Sequence, residues 1–214
     1  GFRRPSVSHG INHQHVSETV AAQWREQGRD PSQLRLISAH LGAGASLAAV
    51  KGGRCIDTTM GYTPLEGLVM ATRSGNVDPG LLLELMREGY SENQMTTILQ
   101  KESGLKGLSG LSGDMRTIRE AAATGHNGAI RALNVFRHRL LQPLGSMAAS
   151  LCGVDVLALT GGVGEHDKQL HQELASALSW WGNFATVVIP ADEEGMIARL
   201  CQRHSETPAS AAVG

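Results

Sequence analysis

Apolar residues along the chain gather into short strand-length runs near both ends of the middle section and into helix-spaced stripes elsewhere. Residues 34–39, 47–50 and 54–58 read as three strands. Between the first two lies a turn of small residues, Gly42-Ala43-Gly44-Ala45-Ser46. Before them, Val16, Val20 and Trp24 line one face of a helix over 16–28, and Gly28 stops it ahead of Asp30-Pro31. Residues 60–67 and 71–79 read as loops. Pro79 opens a helix to about residue 88, with Leu81, Leu82, Leu85 and Met86 as its apolar face. Ser91 caps a second helix to about residue 101, with Gln94 at the reciprocal position. Residues 102–113 are rich in glycine and serine and read as a structured loop, with a flexible linker as the alternative.

Beyond that loop the pattern predicts a helix over 114–124 and a longer one over 127–151. The longer helix is apolar nearly all round, so it is a central or interface helix, and Pro143 should kink it. A buried strand over 154–160 runs into Gly161-Gly162-Val163-Gly164-Glu165 and then a helix over 167–178. A strand over 186–189 precedes a turn holding Asp192, Glu193 and Glu194, and a helix follows over 196–203. The tail 205–214 is small and polar and is expected to be disordered. Three strands, several helices, strand, helix, strand, helix is the order of an α/β layer with a mixed sheet.

Composition narrows the function. Of 214 residues 41% are hydrophobic, enough for a core. A formal net charge of -1 argues against a partner held by bulk positive charge, so no nucleic acid is expected. No apolar run reaches the roughly 20 residues that span a bilayer, so no membrane is expected either. Cys55, Cys152 and Cys201 lie far apart, with no paired spacing for a disulfide framework or zinc ribbon; reduced thiols in a cytoplasmic protein are the simplest reading. The 26 glycines cluster, as ligand-binding turns require.

Three features carry candidate chemistry. His9, His13 and His15 stand close together, open to metal ligation, a surface role or phosphoryl chemistry. Arg73 sits among small residues, a place from which a guanidinium meets carboxylate or phosphate. The turns at 42–46 and 161–165 offer backbone N–H groups to an anion, the second ahead of a helix. The second is not a P-loop, because the lysine and hydroxyl residues are missing and the dinucleotide glycine spacing fails.

Taken in order, these runs resemble the C-terminal half of the acetate kinase and propionate kinase family, within the actin-like and sugar-kinase ATPases. The runs are Ser8 to His13, His40 to Ser46, Asp57 to Leu68, Thr72 to Pro79, Lys101 to Leu105, Ser112 to Arg116, Thr160 to Glu165 and Ile189 to Glu194. The resemblance implies a ribonuclease H-like domain over 1–204, its mixed sheet flanked by helices. It implies transfer of the ATP γ-phosphoryl to acetate or propionate, giving an acyl phosphate and ADP, reversibly and with Mg²⁺. By motif, His9 and Arg73 would meet the phosphoryl group in flight, and His40, Gly42, Ala43 and Gly44 would form the phosphate loop. Asp114, Met115 and Arg116 would lie on the adenosine side. Gly161, Gly162, Gly164 and His166 would form the turn beneath the nucleotide, and Glu193 would help hold Mg²⁺. A carboxylate attacking a phosphate needs its charge offset, here by Mg²⁺, Arg73 and a donating His9. The family also implies a homodimer.

The departures are specific. Ala43 replaces an asparagine of the phosphate loop, His166 an asparagine after Gly-Glu, and Asp192 the asparagine of Asn-Glu-Glu. Ile11 and Asn12 replace Thr and Ser between the two histidines, and the connection from 181 to 186 is shortened. Family members are about twice as long, so an N-terminal domain is expected to be absent from this chain, leaving it little or no activity alone. The alternative reading is a nucleotide-binding or structural remnant without turnover.

Overall fold

A computed structural model describes residues 9–206 of the chain. The predicted tail from residue 207 onward and residues 1–8 lie outside the described residues. Helix α1 spans Gly10–Glu26, followed by strands β1 (Arg35–Leu41), β2 (Ala45–Lys51) and β3 (Arg54–Thr58). Helices α2 (Pro79–Arg87), α3 (Glu92–Thr97), α4 (Gly104–Ser109), α5 (Met115–Ala123) and α6 (Asn127–Leu151) come next. Strand β4 (Val156–Thr160), helices α7 (Gly161–His166) and α8 (Lys168–Ala177), strand β5 (Ala185–Val188) and helix α9 (Glu193–Glu206) complete the order.

The strands form one mixed sheet in the order β3-β2-β1-β4-β5. β1–β2 and β2–β3 pair antiparallel, whereas β1–β4 and β4–β5 pair parallel. This is the expected α/β sheet flanked by helices. Side chains alternate between its faces, and the register aligns the alternation across strands. Ile37, Ala39 and Leu41 of β1, Ala45, Leu47 and Ala49 of β2, and Leu157 and Leu159 of β4 share one face, packed on α6. The buried stripe of α6, Ala129, Ala132, Phe136, Leu140, Leu144, Met147 and Leu151, repeats every three to four residues. So α6 is the central helix its composition suggested, and it runs unbroken through Pro143.

The other face carries Leu36, Ser38 and His40 on β1, Val50, Ala48 and Ser46 on β2, and Val156, Ala158 and Thr160 on β4. Each row passes from large apolar to polar toward the hairpin end. Helix α1 lies over it in matching polarity: Val16 and Val20 pack on Leu36, Val50 and Val156, while Asn12 and His13 are buried over the polar end.

Several boundaries differ from the sequence reading. α1 starts at Gly10, six residues before the predicted start, because burial of Asn12 and His13 outweighs the glycine's helix penalty. The glycine- and serine-rich stretch is structured, and most of it is helical. A π-turn over Ile98–Glu102 leads into α4, with Gly104 in the left-handed region (φ +62°) at the junction. The glycine run after β4 is itself helical, as α7. Asp167 breaks the helix there, and its carboxylate caps α8 through Leu170 N at 3.0 Å. α9 begins at Glu193 rather than at 196 and reaches Glu206. Last, α2 buries none of its residues: of its predicted apolar face Leu81 and Met86 are 51% and 57% exposed and Leu82 and Leu85 are half-buried, and Leu83 beside them is 55% exposed, so the helix joins no core among the described residues.

Candidate functional site

Strand register builds the site. His40 lies opposite Ser46 on β2 and Thr160 on β4, so three polar side chains stand in a row at the carboxyl end of β1 and β4. α1 lowers His9, Asn12 and His13 onto that row. His9 Nδ1 lies 2.8 Å from Ser46 Oγ, and His13 Nε2 lies 2.8 Å from the same hydroxyl. His13 Nδ1 pairs with Ser38 Oγ at 2.8 Å. Asn12 Nδ2 lies 2.8 Å from His40 Nδ1 and 3.4 Å from Thr160 Oγ1. The rings of His9 and His40 stack with centroids 4.1 Å apart.

These imidazoles are held neutral. Burial, then His40 and Arg73, lower His9 to about 4. Burial, then His40 and His9, lower His13 to about 3. Burial also lowers His40, opposed by Glu193 and Glu165. A neutral His9 can act as an N–H donor, and it brings no positive charge of its own. His13 is buried, which removes the surface reading for that residue. His15 stands apart, its Nδ1 3.0 Å from Arg199 Nη2. Among the described residues, no group of three or more His, Cys, Asp or Glu is placed to hold a metal ion.

The hairpin tip closes over this row. A Cβ on Gly44 would lie 3.1 Å from His9 Nε2 and 3.9 Å from Arg73 Nη1, so the imidazole and guanidinium converge on that glycine. A Cβ on Gly42 would lie 3.8 Å from both Gly162 N and His40 Nε2. Neither Gly42 nor Gly44 has positive φ. Their smallness keeps the space open; no turn conformation demands glycine there. Gly161 does have one, with φ +79°, and a Cβ there would press on Leu41 O at 2.8 Å. Gly164 packs against the ends of β1 and β4.

Arg73 is delivered by a loop strapped from behind. Met70 N donates to Arg73 O (3.2 Å), Ser103 N to Thr72 O (3.0 Å), Leu105 N to Met70 O (2.9 Å) and Lys106 N to Ala71 O (2.9 Å). Ala71 N donates to Ala43 O at 3.1 Å, joining the loop to the hairpin tip. Among the described residues the Arg73 guanidinium donates only to Pro64 O, at 3.3 Å, and to the Met70 sulfur.

Beside this cluster opens a cavity of about 750 Å³. Gly42, Ala43, Asp114, Met115, Arg116, Gly162 and His166 of the predicted set line it, whereas His9, His40, Gly44, Arg73, Gly161, Gly164 and Glu193 do not. Seven of the predicted residues thus wall a cavity, while His9, His40, Gly44 and Arg73 gather at the sheet end beside it; Gly161 and Gly164 pack on the ends of β1 and β4, and Glu193 opens α9. Asp114 also caps α5, accepting from Thr117 N at 2.8 Å; that bond holds its carboxyl below the usual range. His166 Nδ1 lies 3.1 Å from Gly162 O at the rim.

Sequence reasoning missed Asn12, Ser38, Ser46 and Thr160 as members of the cluster. It also missed Arg119, which lines the cavity and bonds Asp167 Oδ2 at 2.8 Å and Glu173 Oε1 at 3.1 Å, tying α5 to α8. A lone hydroxyl residue within each of three otherwise apolar runs was the available signal for Ser38, Ser46 and Thr160; Asn12, on α1, had none.

The sheet order and the two glycine turns at the ends of β1 and β4 define a ribonuclease H-like domain of the actin-like ATPase type. Within it, the chain belongs to the Acetokinase family, whose pattern matches residues 1–187. It is 50% identical over 183 residues to an acetate kinase of Nostoc punctiforme, covering 85% of this chain and 44% of that one. The acetate kinase structure from Porphyromonas gingivalis superposes with a TM-score of 0.86 at 36% identity, covering 92% of this chain and 55% of the other. A propionate kinase structure from Francisella tularensis gives 0.81 at 35% identity, covering 89% and 53%. The chain spans about half the length of these relatives.

Proposed function

We propose that the chain is the nucleotide-binding half of an enzyme that moves the γ-phosphoryl of ATP to acetate or propionate, giving an acyl phosphate and ADP, reversibly. The observation that carries the reading is the convergence of His9 Nε2 and Arg73 Nη1 on Gly44, beside a cavity of about 750 Å³. ATP occupies that cavity with its base toward Met115 and Arg116, and its phosphates run past Gly42, whose own N–H donates to Gly44 O at 3.0 Å, toward the N–H groups of Gly44 and Gly162. Arg73, whose guanidinium has only weak partners, offsets charge on the transferring group. His9 donates Nε2–H to the same group when Ser46 donates to its Nδ1. Both act by positioning and charge, which is what phosphoryl transfer asks of a protein.

Mg²⁺ travels with the nucleotide and needs only one or two protein carboxylates beside phosphate and water. Glu193 is near enough to His40 to oppose its lowered pKa, and it is the carboxylate assigned to the ion; when bound, the ion neutralises phosphate charge. A second copy of the chain is the proposed partner through the bare face of α2, and the reduced state of the thiols fits a cytoplasmic enzyme. None of Cys55, Cys152 and Cys201 is in a disulfide, and no helix among the described residues is long and apolar enough to cross a membrane.

Mg-ATP should raise the melting temperature of the chain, since a ligand at 100 times its Kd adds about 2.7 kcal/mol. Turnover is read as hydroxamate formed from acetate, propionate or butyrate after the chain is joined to the N-terminal half of a relative. Arg73→Ala should lower that turnover by about 100- to 1,000-fold. Near-normal turnover in the variant would refute the assignment. Binding without turnover in the joined protein would leave a nucleotide-binding remnant, a reading to which the loss of the loop asparagine at Ala43 lends weight.

A further inference from the structure

Asn12 is fully buried, and its two amide hydrogens point at His40 Nδ1 (2.8 Å) and Thr160 Oγ1 (3.4 Å). Among the described residues its Oδ1 is buried without a partner. Exchanging the amide oxygen and nitrogen is the alternative, and counting decides between the two. As placed, both N–H groups are used and one carbonyl oxygen is orphaned. Exchanged, the oxygen would accept from both neighbours and two N–H groups would be stranded in the orphan's position. A buried donor without a partner is the rarer and costlier defect, and the exchange would create two of them.

We infer that Asn12 is a positioning residue: by donating to His40 Nδ1 it keeps the His40 proton on Nε2, the atom that faces Gly42 and Gly162. His40 then presents a fixed N–H to whatever anion the two glycine turns hold. The stacked His9 ring on one side and Glu165 and Glu193 nearby contribute no donor that would replace Asn12 at Nδ1. What His40 serves depends on the proposed phosphoryl transfer; the location of its proton does not.

The test is two-bond ¹H–¹⁵N correlation on the ¹⁵N-histidine-labelled chain near pH 7, with His40 assigned from the signals lost in His40→Gln. The expected wild-type pattern is a protonated Nε2 and an unprotonated Nδ1. An Nδ1–H form, or an even mixture of the two, overturns the inference. In Asn12→Asp the amide donor becomes an acceptor, and the His40 Nδ1 signal should move from its unprotonated to its protonated position. An unchanged pattern in a variant with wild-type circular dichroism also overturns it. Should Asn12→Asp fail to fold, the wild-type pattern decides alone. Mg-ATP is then added to the wild-type chain. If the Nε2–H pattern is present but the His40 signals do not respond, the phosphoryl-transfer reading fails while the role of Asn12 stands.

Discussion

Gly44 shows how much one hydrogen in place of a methyl group can decide. Its backbone is ordinary, so alanine there costs no φ strain, yet the new Cβ would lie 3.1 Å from His9 Nε2 and force the imidazole aside. Gly44→Ala should therefore leave the melting temperature within a few degrees while slowing transfer, by less than the roughly 100-fold of a full ångström's misplacement, since the imidazole has to give only slightly. Hydroxamate kinetics on the joined protein check it; unchanged kcat would show that His9 does not meet the phosphoryl group. His13 is a different case, since its effect is on stability. Its folded pKa of about 3 lies below its ordinary value of 6.5, so the unfolded chain takes up a proton that the folded chain refuses. That contribution to stability is whole above pH 6.5 and is lost as the pH falls from there toward 3, by about 1.4 kcal/mol per pH unit. His13→Gln should flatten the decline of urea-unfolding free energy between about pH 6 and pH 4. Equal slopes in variant and wild type would show that His13 is not the group responsible.

Among the elements, the strap behind Arg73 gives the sharpest contrast. Gly104 and Gly110 both adopt positive φ, at 62° and 70°. A Cβ on Gly104 would meet the backbone of Met70 and Arg73, whereas one on Gly110 meets nothing within 4 Å. Gly110→Ala should cost about 1–2 kcal/mol, the left-handed penalty alone. Gly104→Ala should cost more than that and weaken the Mg-ATP thermal shift as well, because it displaces the arginine loop. Equal melting temperatures for the two variants would mean that the strap yields freely. The same region shows what local pattern could and could not reveal. Helix α6 was legible to the residue, and Ser91 with Gln94 forms the expected capping box, because spacing and caps are local signals. α4 was not, since its glycines weaken any helical pattern and it is held by tertiary contacts: bonds from its backbone to Met70 and Ala71, Arg131 on Leu108 O, and Leu105 buried in the core. For the site, the glycine turns and Arg73 stood out by composition. The row His40, Ser46 and Thr160, with Ser38 two residues behind His40 on the same face, has meaning only once register sets three strands side by side. Asn12 needed the helix placement as well.

At the scale of the whole molecule, the two faces of the sheet have different fates. One is sealed by α6. The other is shared between an apolar seal by α1 and the imidazole cluster, so the site is continuous with a small second core. Leu144, fully buried where α6 packs, should cost about 2–5 kcal/mol as Leu144→Ala. The exposed leucines of α2 suit association, so Leu83→Glu with Met86→Glu should shift the chain toward monomer in size-exclusion chromatography. An unchanged elution volume would remove α2 from the interface.

The Ala71 N–H to Ala43 O bond makes the tip of the β1–β2 hairpin and the arginine-bearing loop one mechanical unit. Any hinge that moves one of them against the rest of the sheet must pivot outside this unit, or sever that link. Deuterium uptake at the Ala71 amide is thus a gauge of whether the hairpin tip and the arginine loop ever part.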